Sequence, residues 1–164
     1  TLTMCAVFDG LFKMDLSKID VDACVKAWPT LEQEQERALE IFKNFPAPEL
    51  GYTEITKKYD DAETVRVQLT RIKENWPEFK KKLQGQVYSF SRMQDLLRKA
   101  GAPYDPSMIG VTRGMLRNMF PKVQLMRFRF NVLDLAKRGM FYDQLVDAVF
   151  APGAAWDLTK EVMR

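Results

Sequence analysis

Apolar residues recur along this chain at steps of three and four, the interval that lines one face of an α-helix. The longest seam runs Val65, Leu69, Ile72, Trp76, Phe79, Leu83, about five turns of helix. Pro77 falls inside it and predicts a kink, or a second helix with Pro77 in its first turn. Asp20 can cap a short helix that buries Val21, Cys24, Val25 and Trp28. Thr30 with Gln33 reads as a capping box before Leu31, Ala38, Phe42 and Phe45. A turn at Pro46–Pro48 precedes a further helix to about Tyr59. Ser91 with Gln94 forms a second box, with Gly101 as the stop. Thr112 caps a helix carrying Met115, Leu116, Met119, Phe120, Val123 and Met126, which Pro121 should bend. Asn131 with Asp134 opens another helix that Gly139 ends. Two more helices are expected, over 142–150 and around Trp156, Leu158 and Val162. No stretch alternates with the period of two that a strand requires, so the pattern predicts an all-α chain of roughly eight to ten helices with short connections.

The first of these segments is unusual. Met4, Val7, Phe8, Leu11 and Met14 follow helical spacing, yet Leu2, Cys5, Ala6 and Phe12 fill the other faces. A helix apolar nearly all round must be covered on nearly all sides, either in the centre of this domain or against another protein. Leu2, Met4, Phe8, Leu11 and Phe12 are therefore candidate contacts to another protein subunit, because left bare they would form an apolar patch of interface size.

Composition narrows the chemistry. The 164 residues suit a single domain with a substantial core; the expected division is a helical domain over 1–150 and a helical extension over 151–164. The chain contains no histidine, which removes Ser-His-Asp and Cys-His nucleophiles, the usual His-containing zinc sites and the commonest neutral-pH base. Cys5 and Cys24 fit no CxxC pattern and read as small buried hydrophobes of a reducing compartment. No GxG spacing occurs, so neither a dinucleotide fingerprint nor a P-loop is present. Catalytic, cofactor-binding and metal-ligating residues are therefore all read as none in this chain. No apolar run has membrane-spanning length. Thr1–Lys13 lacks the basic region of a targeting signal, and a chain that opens on Thr1 is expected to be processed or part of something longer.

Charge is mild overall, at +3, but uneven. Between Thr112 and Arg138 seven basic residues face one acidic residue, whereas Leu31–Thr64 holds nine acidic and four basic residues. Glu32, Glu36 and Glu40, with Glu34 nearby, read as a solvated acidic face. Arg113, Arg117, Lys122, Arg127 and Arg129 form a candidate basic docking face. Three readings of it stand open: solvated or mutually complementary faces, docking onto an acidic protein or phosphorylated ligand, and nucleic-acid binding. The last is not expected, because no exposed aromatics are seen to interleave with the basic residues.

The string from Ala100 to Arg113 (AGAPYDPSMIGVTR) and that from Met126 to Ala136 (MRFRFNVLDLA) resemble the C-terminal region of bacterial-type sn-glycerol-1-phosphate dehydrogenases. These enzymes belong with the metal-dependent (iron-containing) alcohol dehydrogenases and dehydroquinate synthases. Val21–Pro29 and Lys73–Pro77 fall in matching order, so the resemblance covers about Met4 to Phe150. It implies the helical C-terminal domain of that type, without the N-terminal α/β nucleotide-binding domain. In such enzymes one Asp and two His hold a divalent metal that polarises dihydroxyacetone phosphate for hydride transfer from NAD(P)H. Thr1–Phe12 resembles the helix after the second metal-binding His, so no metal ligand or nucleotide-binding glycine carries over. NAD(P) and a metal are implied only for a full-length enzyme. Phe120–Pro121 and Arg127–Phe128–Arg129 depart from the family pattern.

Two expectations follow. In one, the chain is a non-catalytic helical accessory subunit of a larger assembly, its N-terminal helix covered by other subunits. In the other, it is the C-terminal part of an active dehydrogenase that reduces dihydroxyacetone phosphate, of a family whose members are homo-oligomeric. The resemblance implies a cytoplasmic protein, a processed assembly subunit an organellar (mitochondrial) one.

Overall fold

Residues 1–160 are described by a computed structural model, and among them every regular element is helical: nine α-helices, three short 3-10 turns and no strand. The α-helices are α1 (Leu2–Leu11), α2 (Val21–Lys26), α3 (Leu31–Phe42), α4 (Leu50–Lys58), α5 (Ala62–Gln84), α6 (Phe90–Lys99), α7 (Arg113–Leu125), α8 (Val132–Arg138) and α9 (Tyr142–Phe150). The all-α expectation holds. In place of a terminal helix the structure has a 3-10 turn at Leu158–Lys160; Val162 lies outside the described residues.

The chain divides into two compact units. One comprises Thr1–Ser17, Asn75–Asn118 and the residues from Asp143 on; the other comprises Lys18–Glu74 and Met119–Tyr142. Described residues after 150 thus belong with 143–150.

In the first unit α1 is largely covered by its own chain. Leu2, Cys5, Ala6, Val7, Gly10 and Leu11 are buried, and Met4, Phe8 and Phe12 are half-buried. Gly10 lets α9 come close, since a Cβ there would sit 3.1 Å from Leu145 Cδ1. Asp9 Oδ2 accepts the Phe90 N–H at 2.8 Å, fixing the start of α6. Of the two covers that the sequence allows, Leu2 and Leu11 take the one inside their own chain and offer no surface to a partner, while Met4, Phe8 and Phe12 stay half-buried. Trp76 donates from Nε1 to the Met14 carbonyl at 3.3 Å. This anchor lies next to Pro77, and α5 runs on unbroken although Pro77 cannot reach the Lys73 carbonyl. The predicted seam fades here, for Trp76 is buried while Phe79 is exposed. The cap of α6 is Ser89, which accepts the Arg92 N–H, and not Ser91.

In the second unit Ala38, Phe42, Ile55 and Leu125 form a core against which Ile41, Phe45 and Leu50 pack. The caps at Asp20, Thr30 and Asn131 are formed as their spacing predicts. Pro121 lies within an unbroken α7, held by buried Phe120, Gln124 and Leu125 around it. The end of α8 differs in detail. Gly139 has φ −84°, and the left-handed residue is Met140, φ 58°. Gly139 is needed for another reason: a Cβ there would meet the Phe141 ring at 2.4 Å.

Helices α3 and α4 meet where Gly51 faces Phe42, and a Cβ on Gly51 would lie 2.7 Å from Phe42 Cδ2. Overpacking at such a site costs about 1–3 kcal/mol, against about 1 kcal/mol gained from alanine's helix propensity. Gly51→Ala should therefore lower stability in urea unfolding by about 1 kcal/mol; a stabilised variant would contradict the contact.

Candidate docking site

The site is built on a buried polar network in the second unit. Lys58, in the last turn of α4, and Asp134, in the first turn of α8, are each only 5% exposed, and Nζ meets Oδ1 at 2.7 Å. Lys58 also donates to the Gln124 carbonyl. Gln124 Nε2 donates to the same Asp134 oxygen at 2.6 Å. The other carboxylate oxygen accepts the Asn131 N–H at 2.9 Å, closing the capping box of α8. Asp134 thus holds a charge partner with one oxygen and a helix start with the other. On the far side of Gln124, Arg37 Nη2 donates to its Oε1 at 2.9 Å and to Glu34 Oε2 at 2.8 Å. Lys137 approaches Glu34 at 3.2 Å. Four helices, α3, α4, α7 and α8, are tied through these groups.

Glu34 was read with the acidic face, and this is corrected. Glu32, Glu36 and Glu40 are exposed, while Glu34 is buried among cations. Its burial works to raise the carboxyl's pKa, but the hydrogen bonds and charges of Arg37 and Lys137 outweigh that and hold it below the usual value.

The network fixes both ends of the 126–130 segment, which runs from α7 to the Asn131 cap. Phe128 donates its N–H to Glu54 Oε2 at 2.7 Å. Glu54 is held ionised below the ordinary range, foremost by the hydrogen bond from Lys57. Arg127 and Arg129 are exposed and make no hydrogen bond or ion pair with any described residue. Between and beside them stand Phe128 and Phe130, 51% and 52% exposed. Exposed aromatics therefore do interleave with basic residues, contrary to the sequence reading. That reading missed them because two phenylalanines next to an apolar helix look like core, and only the cap at Asn131 shows that the chain has left helix α7 by then.

The predicted basic face is not one surface. Arg113 and Arg117 belong to the first unit and Lys122, Arg127 and Arg129 to the second. Arg113 is half-buried, donating to the Asp157 carbonyl at 2.6 Å and pairing with Asp105 at 3.4 Å. Asp157 is itself fixed: N–H groups of Gly153 and Thr159 and the Thr159 hydroxyl hold its carboxyl down to about 2. Arg117 pairs with Asp147. Lys122 is half-buried. Only Arg127 and Arg129 combine full exposure with freedom from partners.

Cys5 and Cys24 are buried and free, one in each unit, and burial pushes both thiols up. Among the described residues no three His, Cys, Asp or Glu side chains converge as a metal centre would require, and no helix is long and apolar enough to cross a membrane. No known protein family, curated protein or solved structure matches the chain.

The sign of the Glu34 shift gives a pH prediction. A carboxyl whose folded pKa lies below its unfolded value stabilises fully above the unfolded pKa and loses that contribution as pH falls through the folded one. Glu34→Gln should therefore be less stable than wild type at neutral pH by about 1–3 kcal/mol. The gap should shrink as pH falls below about 4.3. Urea midpoints of both proteins across pH 7 to 3 measure it; a gap independent of pH would contradict the charged network.

Proposed function

We propose that this chain is a helical, non-catalytic accessory domain, similar to the C-terminal domain of glycerol-1-phosphate dehydrogenases, that contributes contact surface to a larger protein assembly. The observation that carries the reading is the 126–130 segment: two unpartnered arginines beside two exposed phenylalanines, held by a buried network at both ends. Rigid aromatic and arginine side chains of this kind anchor protein interfaces. An acidic protein surface suits the segment better than a nucleic-acid backbone, since two free arginines and a net charge of +3 neutralise few phosphates. The cover that α1 finds in its own unit moves the expected contact from the N-terminal helix to this segment.

A second reading has this domain close over the nucleotide-binding part of an active metal- and NAD(P)H-dependent dehydrogenase that reduces dihydroxyacetone phosphate. It is favoured by the order of the matching strings. Val21–Pro29 covers α2, Lys73–Pro77 lies in α5, Ala100–Arg113 ends on α7, and Met126–Ala136 carries the segment into α8.

One experiment separates them. The native polypeptide is isolated, its intact mass and that of its complex are measured, and it is assayed for NADH oxidation with dihydroxyacetone phosphate and a divalent metal. The accessory reading predicts a chain near the present length in a complex with other polypeptides. It also predicts that Arg127→Ala with Arg129→Ala weakens the complex and flattens its salt dependence. A lone monomer, or a complex indifferent to the double variant, contradicts it. A polypeptide of roughly twice this length or more with that oxidation activity establishes the second reading. Release of the complex by a single-stranded oligonucleotide would replace the acidic protein partner with nucleic acid.

A further inference from the structure

A cavity of about 460 Å³ opens in the second unit beneath the same segment, within the range of roughly 300–1,000 Å³ that small-molecule sites occupy. Phe128, Phe130, Tyr59 and Ile72 give it apolar walls, and Arg71 and Arg138 carry charge to it. Arg138 is the unusual member. It is only 4% exposed, and its Nη1 is taken by Asp60 at 2.8 Å and by Gln68. Its other edge, Nε and Nη2, makes no hydrogen bond with any described residue, and Nε is buried. Nε is shut off from solvent, which leaves Nη2 as the free nitrogen of this lining residue that a carboxylate or phosphate in the cavity can meet. The ring of Phe130 lies 4.7 Å from the guanidinium carbon and that of Trp28 lies 5.7 Å away, so the cation is held in place by aromatic faces. The other cations are less available: Lys58 is committed to Asp134 and Lys57 to Glu54.

We propose that this cavity binds a small molecule in which a carboxylate or phosphate is carried on a flat apolar ring. The oxyanion meets Nη2 of Arg138, and the ring lies against Phe130, Phe128 and Ile72. Two requirements are set at once, charge by a buried guanidinium and shape by aromatic walls. A bare anion gains no ring contact, and a neutral ring leaves the guanidinium edge unpaired. The cavity shares Phe128 and Phe130 with the docking surface but uses neither Arg127 nor Arg129, so the two can be told apart by those arginines.

Calorimetric titration of the full chain with benzoate, phenyl phosphate, benzyl alcohol and inorganic phosphate tests it. The expected result is saturable one-site binding of benzoate or phenyl phosphate, at least about tenfold tighter than benzyl alcohol and inorganic phosphate. The tighter of the two anions identifies the oxyanion. Arg138→Gln should abolish the preference for the anion over benzyl alcohol. Phe130→Ala, at a half-exposed position that leaves the core intact, should weaken binding at least about fivefold and decides the matter if the arginine variant fails to fold. Equal affinity for benzyl alcohol, equal affinity for inorganic phosphate, no saturable binding, or indifference to Phe130→Ala would each overturn the proposal. Arg127→Ala with Arg129→Ala should leave this titration unchanged, so the site and the docking reading fail separately.

Discussion

A lysine and an aspartate, both withdrawn from water, set the constraint on which the second unit depends. Removing either charge from solvent costs several kcal/mol, and the cost is recovered only when the partner and further hydrogen bonds are in place. Lys58 and Asp134 meet that condition through Gln124 and the Asn131 amide. Apolar contacts carry no direction of their own, whereas an ion pair surrounded by directed hydrogen bonds fixes the orientation of the helices that bear it. Its worth is less in net stability than in the single arrangement of α4, α7 and α8 that it permits.

That arrangement decides what the surface presents. The segment after α7 is fastened by the Phe128 amide to Glu54 and by the Asn131 cap to Asp134. With its backbone so held, its four central side chains divide. The arginines meet no partner among the described residues, while the phenylalanines both stand in solvent and wall the cavity at Arg138. The same few residues thus offer an outer surface suited to an acidic partner and an inner one suited to an anion on a ring. In the first unit Arg113 and Arg117 are instead spent on Asp105, the Asp157 carbonyl and Asp147.

Much of the fold could be read from local chemistry. The all-helical class follows from three- and four-residue spacing, and the caps at Asp20, Thr30, Thr112 and Asn131 from side chains that reach amides two or three residues ahead. What escaped was decided at long range. Pro77 and Pro121 suggest breaks, but α5 runs on past Pro77 beside the buried Trp76, and buried Phe120, Gln124 and Leu125 flank Pro121 in α7. Local grounds favour Ser91, which has Gln94 three residues on, but the Asp9 bond to the Phe90 amide goes with the earlier start at Ser89. The all-round apolar α1 had to be covered, but its sequence could not say whether by its own domain or by a partner; α6 and α9 supply cover within the same unit. Asp134 read only as a capping acid, since no local pattern marks a carboxylate whose cation lies 76 positions away. Glu34, with Arg37 one turn on, read as a surface acid because nothing local shows that Gln124 and Lys137 close over the pair. The site was legible only in part: Arg127 and Arg129 were named, but Phe128, Phe130 and Arg138 were not.

Equilibrium urea unfolding of Lys58→Met, Asp134→Leu and the double variant tests the governing pair most directly. Each single replacement leaves a buried charge without its partner and should cost about 3–5 kcal/mol, and the double should recover most of that loss. Single variants that lose less than about 1 kcal/mol, or a double variant whose loss equals their sum, would show that the pair does not hold this unit together.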